Sequence, residues 1–97
     1  MNYLAHYKST LLQLKPELEK RYLVNSIGLF GSVVRDDFAP NSSDIDIVVN
    51  FKRPVGIEVI ELADYLEKML KRKVDLVSLN GIKPQYLQQI ESEIIYV

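Results

Sequence analysis

The sequence has no cysteine, no tryptophan and a single histidine among its 97 residues. The lack of cysteine excludes disulfides, thiolate metal sites and thiol nucleophiles together, and it fits a reducing compartment. An excess of one charge is also missing, since 12 basic residues are balanced by 13 acidic ones. Nucleic-acid binders usually carry a basic face, so no stable binding of nucleic acid is expected.

Long hydrophobic runs are absent as well. No apolar stretch approaches the roughly 18–20 residues that cross a bilayer, and Met1 to Thr10 lacks the apolar segment of a secretory signal. We therefore expect a soluble, cytoplasmic protein without a membrane partner. Because 47% of the residues are apolar, the chain has the material for one domain, spanning residues 1–97.

Hydrophobic periodicity predicts alternating helices and strands. The predicted elements are helix Asn2–Tyr22, strand Ser26–Gly31, a helical turn in Ser32–Arg35, strand Asp44–Phe51, helix Gly56–Arg72, strand Lys73–Leu79, helix Pro84–Glu91 and a short edge strand in Ile94–Val97. Asn2–Tyr22 is expected to form one helix or two, with Pro16 as the expected break. This order predicts one α/β domain, with a mixed β-sheet of about four strands packed by helices.

Two aspartates one residue apart begin the strand DIDIVVNF. Side chains two apart on a strand point to the same face, so Asp44 and Asp46 are expected to share a site. Two carboxylates that close raise each other's pKa unless a cation lies between them. Carboxylate oxygens suit Mg²⁺, which takes its remaining ligands from water and phosphate, so the pair predicts a metal site.

Asp75 supplies a third acid, inside the apolar strand KVDLVSL. An acid in such a strand is costly unless it is paired, hydrogen-bonded or metal-bound. If this strand neighbours the strand of Asp44 and Asp46 in register, three carboxylates converge. Such a cluster outlines a two-metal site for phosphoryl transfer, in which one ion activates a hydroxyl and both stabilise the phosphoryl charge.

Gly31 and Ser32 lie between a strand and a short helix. A glycine lets the backbone approach a phosphate closely, and the N–H groups that follow, together with the Ser32 hydroxyl, can bind an anion. Arg35 lies one turn later on the same face and can reach a phosphate oxygen. These three residues are therefore candidates for binding a nucleoside triphosphate.

Each of these residues also has a purely structural explanation. Gly-Ser is a common turn, and Asp44 follows turn formers that it can cap. Asp75 can be an ion-pair partner, and Arg35 can be a solvated side chain. The combination is more informative than its parts: a strand, Gly-Ser, a short helix, a turn, an acid-x-acid strand, a helix and a strand with a third acid.

The segments LFGSVVR, SSDIDIVVNF, KVDLVS and IIYV resemble the nucleotidyltransferase superfamily of DNA polymerase beta. The resemblance is strongest to its minimal nucleotidyltransferases, the MNT antitoxins encoded beside HEPN-domain toxins, and it extends over nearly the whole chain. It implies a small nucleotidyltransferase domain in which Gly31 and Ser32 hold the phosphates. It also implies that Asp44 and Asp46 bind metal, and that Asp75 completes the metal site and helps to deprotonate the nucleophile.

The resemblance implies an enzyme that transfers NMP from ATP or another NTP, with AMP from ATP expected, to a hydroxyl and releases pyrophosphate, with a pair of Mg²⁺ ions as cofactors. The implied acceptor is a tyrosine hydroxyl of a cognate HEPN toxin, a small helical ribonuclease that the modification silences. Two alternatives stay open. The protein can be an antitoxin that neutralises its toxin by binding alone, or a nucleotidyltransferase that acts on RNA or a small molecule.

This sequence departs from the family pattern at two places. The spacer between the serine and the first aspartate, Val33 to Ser43, is one residue longer than usual. Val34 and Asp36 replace the alanine and glycine that commonly flank the arginine. Aspartate tolerates the left-handed conformation and an exposed turn tolerates an insertion, so the catalytic acids are expected to keep their places.

Overall fold

Residues 2–97, which the computed structural model describes, alternate between helices and strands in the predicted order. The helices are α1 (Tyr3–Arg21), α2 (Ser32–Arg35), α3 (Glu58–Leu70) and α4 (Pro84–Ile90). The strands are β1 (Val24–Phe30), β2 (Ile45–Phe51), β3 (Val74–Ser78) and β4 (Ile95–Tyr96), with 3-10 turns at Leu79–Gly81 and Glu91–Glu93. The predicted α/β class with about four strands is confirmed.

The strands form one mixed sheet in the order β3-β2-β1-β4. β1 runs antiparallel to both β2 and β4, whereas β2 and β3 are parallel and are joined through α3. β4 lies at one edge, where Gly28 pairs with Tyr96 and Leu29 pairs with Ile95. The predicted short edge strand is therefore confirmed, and β3 forms the opposite edge.

Alternate residues of the sheet face two separate apolar layers. On one face, Ile47 and Val49 of β2 pack with α1 and α3 in the larger cluster. On the other face, Val48 packs with Phe30 and with Ile90 of α4; we call this side the α4 face. Burying a side chain of this size contributes about 1.5–3 kcal/mol, so the two layers fix the register of the strands.

The prediction of a break at Pro16 was wrong. α1 runs unbroken from Tyr3 to Arg21 with Pro16 inside it. The proline removes one intrahelical hydrogen bond, but Leu11 and Leu18 on either side of it are completely buried. Their packing against the sheet holds both halves of the helix in line. Neither α1 nor any other helix within residues 2–97 is long and apolar enough to cross a membrane.

Some element boundaries differ from the prediction. α3 begins at Glu58 and ends at Leu70, inside the predicted range at both ends. It ends there because Lys71 adopts a left-handed conformation with φ 57°, which stops the helical hydrogen-bond pattern. β1 begins earlier than predicted because Val24, which is completely buried, pairs with Phe51.

Candidate active site

Asp46 of β2 and Asp75 of β3 lie side by side in the sheet. The two strands are parallel, and their register pairs Asp46 directly with Asp75. Asp44 immediately precedes β2 and is near enough for its charge to act on Asp46. The expectation that the two strands are neighbours in register is confirmed. The structure thus brings the three predicted acids together, at the end of the sheet where β2 and β3 begin.

The ionisation of Asp46 reflects this convergence. Partial burial raises the pKa of Asp46, and the negative charges of Asp75 and Asp44 raise it further, to about 6. The positive charge of Arg35 acts in the opposite direction. Asp44 and Asp75 themselves are exposed to solvent. A further cation at this point would favour the ionised form of Asp46.

Gly31 provides the space that the Asp46 carboxylate occupies. It follows Phe30, which pairs with Asp46 across the antiparallel β1–β2 ladder. A Cβ atom on Gly31 would lie 2.0 Å from Oδ2 of Asp46 and 2.9 Å from its Cγ. Gly31 also has φ 76° and ψ −149°, a conformation that is essentially restricted to glycine. Both observations explain why this position requires a residue without a side chain.

Ser32 and Arg35 are the first and last residues of α2. Ser32 is half-buried directly after Gly31, whereas Arg35 is exposed. The helix ends because Asp36 has φ 69°, the left-handed conformation that aspartate tolerates. Arg35 is close enough to lower the pKa of Asp46, which places the guanidinium on the side of the acids.

Arg35 contacts a carboxylate that the sequence did not reveal. Its Nη1 donates to Oε1 and Oε2 of Glu93, at 3.1 and 3.3 Å. Oε1 of Glu93 also accepts a hydrogen bond from the backbone N–H of Gly31, at 3.0 Å. Glu93 lies in the last 3-10 turn, 62 residues after Gly31. No local sequence pattern predicts a contact between segments so far apart.

Tyr86 is a second residue of the site that the sequence did not reveal. It lies on α4, one turn before the buried Ile90, and is 39% exposed. Partial burial raises the pKa of its phenol, and the charges of Asp75, Asp46 and Glu93 raise it further. α4 and the turn after it therefore form one wall of the site. The spacing of Tyr86 and Ile90 is the signal that could have placed the tyrosine on the inner side of α4.

The longer spacer before Asp44 is held in place by Arg72. The guanidinium of Arg72 donates to the carbonyl oxygen of Pro40 and to Oη of Tyr7 in α1, the latter at 3.1 Å. It also lies over the ring of Phe38, 5.0 Å from the centroid. A cavity of about 320 Å³ lies beside this spacer, lined by residues 41–44 and by the basic residues 71–73. The extra residue is thus accommodated in a fixed turn next to the first acid.

The chemistry of the acids fits a divalent cation. Carboxylate oxygens are hard donors of the kind that Mg²⁺ prefers. A cation among Asp44, Asp46 and Asp75 would offset both the burial and the repulsion that raise the pKa of Asp46. Within residues 2–97, no three acidic or histidine side chains are already arranged around one point as ligands. Asp44 and Asp75 are exposed, so their side chains have room to turn toward an ion.

A profile of the nucleotidyltransferase domain matches residues 11–97 of this chain. The chain belongs to the nucleotidyltransferase family. The protein adenylyltransferase MntA of Thermococcus cleftensis is similar to it, with 40% identity over 95 residues that cover 97% of this chain and 95% of the relative. A Methanocaldococcus jannaschii protein with the provisional name of protein adenylyltransferase is 38% identical over 99 residues, and the two chains match over their full lengths.

Solved toxin-antitoxin complexes share the fold of this nucleotidyltransferase. One chain in the crystal structure of a toxin-antitoxin with AMP-PNP matches with a TM-score of 0.76 and 29% identity. The match covers 92% of this chain and 70% of the matched chain. A complex of a tri-AMPylated Shewanella oneidensis HEPN toxin with an MNT antitoxin matches with a TM-score of 0.67 and 29% identity, covering 99% and 71%. The resemblance to minimal nucleotidyltransferase antitoxins, and the prediction of a nucleotidyltransferase, are confirmed.

Proposed function

We propose that this nucleotidyltransferase is an antitoxin that transfers AMP from ATP to a HEPN toxin and so inactivates it. The observation that carries the proposal is the convergence of Asp44, Asp46 and Asp75 beside the Gly31-Ser32 turn. The relatives support it. One is named a protein adenylyltransferase, and one solved complex contains an AMPylated HEPN toxin with its antitoxin. Both ATP and such a toxin are expected in the cytoplasm, where we place the reaction.

In this proposal, the metal is a pair of Mg²⁺ ions, which Asp44, Asp46 and Asp75 would bind. When bound, these ions would lower the pKa of the attacking hydroxyl and stabilise the negative charge of the phosphoryl group. Asp46 is assigned as the central ligand because the charges of both Asp75 and Asp44 act on it. Its neighbour Gly31 leaves room for the carboxylate.

Ser32 and Arg35 are assigned to the triphosphate. The Ser32 hydroxyl can donate a hydrogen bond to one phosphate oxygen, and the guanidinium can donate to another, which is a charge-assisted and therefore strong contact. Gly31 contributes mainly through its missing side chain, because its N–H is already bonded to Glu93. The part of Gly31 in holding the phosphates stays a prediction.

The transfer is a single exchange at phosphorus. The acceptor oxygen forms a bond to the α-phosphorus of ATP, and the bond from that phosphorus to the oxygen that bridges to the β-phosphate breaks. Pyrophosphate leaves with the electron pair of the broken bond. Asp75 accepts the proton of the acceptor hydroxyl. The acceptor is taken to be a tyrosine of the toxin, because the family resemblance implies one.

A protein acceptor needs a surface to dock on, and several large apolar side chains of this chain are exposed. Ile57 and Ile60, at the start of α3, are 67% and 64% exposed. Leu12 of α1 and Tyr96 of β4 are 59% and 51% exposed. Contiguous apolar patches mark sites of association with another protein, and Ile57 and Ile60 are close enough in sequence to belong to one. They are compatible both with toxin modification and with neutralisation by binding.

Intact-mass spectrometry of the protein encoded by the neighbouring gene tests the proposal, which expects that protein to be a HEPN toxin. The HEPN protein is incubated with this chain, ATP and Mg²⁺, and in parallel with the Asp44→Ala/Asp46→Ala variant. We expect a gain in steps of one AMP group with the unsubstituted chain only. If the HEPN protein gains no mass and AMP is found on RNA or a small molecule instead, the acceptor is that RNA or small molecule.

The binding-only alternative is tested by the toxin's ribonuclease activity. If the variant with all three acids replaced by alanine silences the toxin as well as the unsubstituted chain does, neutralisation proceeds by masking. If it binds the toxin but leaves the ribonuclease active, transfer is required. Separating the two proteins after the reaction gives the same answer, since a modified toxin stays inactive alone.

A further inference from the structure

Glu93 contacts both Gly31, which leaves room for the Asp46 carboxylate, and Arg35, whose charge acts on that carboxylate. One oxygen, Oε1, accepts from the Gly31 N–H at 3.0 Å and from Nη1 of Arg35 at 3.1 Å. Only 22% of the Glu93 side chain is exposed, against 52% for Arg35. The carboxylate is therefore the sheltered end of this ion pair, and the exposed guanidinium depends on it for its orientation.

Arg35 has a competing acidic neighbour. Nε of Arg35 lies 3.8 Å from Oδ2 of Asp37, whose side chain is 63% exposed. Asp37 lies in the turn after α2 and is separate from the three acids of the site. If Glu93 were removed, the ion pair with Asp37 would alone orient the guanidinium, and the Gly31 N–H would lose its acceptor. Glu93 thus fixes the direction of Arg35.

The contact with Glu93 leaves Arg35 able to bind a phosphate. Both hydrogen bonds to Glu93 use Nη1, and a guanidinium has five N–H donors in a rigid plane. Arg35 can therefore stay bonded to Glu93 while its remaining donors face an anionic ligand. This distinguishes Glu93 from a group that merely occupies the phosphate position until the nucleotide arrives.

We propose that Glu93 is a positioning residue for the nucleotide, which holds Arg35 and the Gly31 turn in the arrangement that receives the triphosphate. The inference rests on the proposed function, since it concerns the same nucleotide. Glu93 itself does not touch the substrate; it acts through the two residues that it bonds. The last 3-10 turn is thereby part of the nucleotide site, although it follows the catalytic acids by many residues.

The test measures binding of AMP-PNP with Mg²⁺ by isothermal titration calorimetry, which does not require transfer. Glu93→Ala is expected to weaken binding about tenfold, as the loss of a charge-assisted hydrogen-bond pair predicts. Glu93→Gln keeps an acceptor oxygen, so about threefold weakening is expected. Glu91→Ala is the matched control, because Glu91 lies exposed in the same turn, and should leave binding unchanged.

A double-mutant cycle shows whether Glu93 acts through Arg35. In an Arg35→Ala background, Glu93→Ala should cost at most about threefold, since coupled residues are not additive. In transfer assays, the KM for ATP should rise more than kcat falls. Thermal unfolding of each variant identifies any loss of folding. If the alanine variant is unstable, AMP-PNP binding by Glu93→Gln is used to test the proposal.

Several results would overturn the inference. Tighter binding by Glu93→Gln would make Glu93 a competitor of the phosphate, and unchanged binding with lower stability would make its role purely structural. If the losses of binding affinity in the double-mutant cycle are additive, Glu93 does not act through Arg35. If the unsubstituted chain binds AMP-PNP but transfers no AMP, the proposed function fails. The role of Glu93 is then still tested by the binding measurements. Absence of binding by the unsubstituted chain would overturn both.

Discussion

Gly31 and Asp46 are so close that a methyl group on Gly31 would lie 2.0 Å from Oδ2 of Asp46. Gly31→Ala must therefore push the Asp46 carboxylate aside or shift the turn between β1 and α2. The backbone at φ 76° adds strain of about 1–3 kcal/mol for a residue with a side chain. We expect AMP transfer to fall by about 10²-fold or more, because small misplacements of reacting groups have effects of that size.

Two other glycines of the chain provide matched controls for this substitution. Gly56 and Gly81 have no atom within 4 Å of an added Cβ. Alanine at either position should leave the transfer rate and the free energy of unfolding nearly unchanged. Wild-type transfer by Gly31→Ala would show that the contact with Asp46 has no part in the reaction.

The second prediction concerns Asp46 as a metal ligand. Asp46→Asn keeps the size of the side chain but removes its charge, so transfer of labelled AMP should slow by about three orders of magnitude, or roughly 4 kcal/mol. Asp64→Asn, an equivalent change at an exposed position of α3, is the control. An unchanged rate for Asp46→Asn would exclude Asp46 from the metal site.

The raised pKa of Asp46 predicts a pH-dependent stability in the absence of metal. Its pKa is about 6 in the folded protein against 3.8 for an unperturbed aspartate, so the folded state binds the proton more tightly. This contribution to stability is complete below the unfolded pKa and is lost as the pH rises through the folded one. The groups that act on it are Asp75, Asp44 and Arg35.

In EDTA, the unfolding free energy of the unsubstituted chain should therefore fall, relative to Asp46→Asn, by about 1 kcal/mol from about pH 4 to pH 7. The figure is kept small because solvent screens a partly exposed carboxylate. Urea unfolding at several pH values measures it. Adding Mg²⁺ at neutral pH should raise the melting temperature of the unsubstituted chain more than that of the variant. Parallel pH profiles would contradict the prediction.

Arg72 is expected to stabilise the spacer before Asp44. Arg72→Ala removes the hydrogen bonds to Pro40 and Tyr7 and the contact with the Phe38 ring, with an expected loss of about 1–3 kcal/mol of unfolding free energy. Urea unfolding measures this loss, and Arg53→Ala, at an exposed position, is the comparison. Equal stability of the two variants would mean that the spacer is held by other contacts.

The unbroken course of α1 predicts that Pro16 destabilises its own helix. Pro16→Ala restores a backbone donor inside the helix, and the gain outweighs the greater freedom of the unfolded chain, so we expect about 1–2 kcal/mol of added stability. Pro54→Ala, in the connection between β2 and α3, should not stabilise. Thermal unfolding distinguishes them, and lower stability of Pro16→Ala would refute the expectation.

The parts of the site that depend on strand periodicity were predictable from sequence. Asp44 and Asp46 share a face because strand side chains alternate, and Asp75 joins them because β2 and β3 are parallel neighbours. The left-handed conformation of Asp36 agrees with the tolerance of aspartate for it. The fold class followed from the alternation of helical and strand patterns in the same way.

The remaining features depend on contacts between distant segments. Glu93 reaches Gly31 only because β4 returns to the edge of β1, and Tyr86 faces the acids only because α4 packs on one side of the sheet. The break at Pro16 was predicted wrongly because the free-energy cost of a proline inside the helix is smaller than the stabilisation from packing of Leu11 and Leu18.

The bond between Gly31 and Glu93 closes a loop of 62 residues, and this has a consequence for the order of folding. Contacts of such separation form later than local ones, because the entropy of closing the loop must be offset first. A refolding chain should thus regain helical content before the turn that carries Glu93 meets β1. Nucleotide binding would then report on completion of the fold, and its recovery would lag behind that of the helical signal.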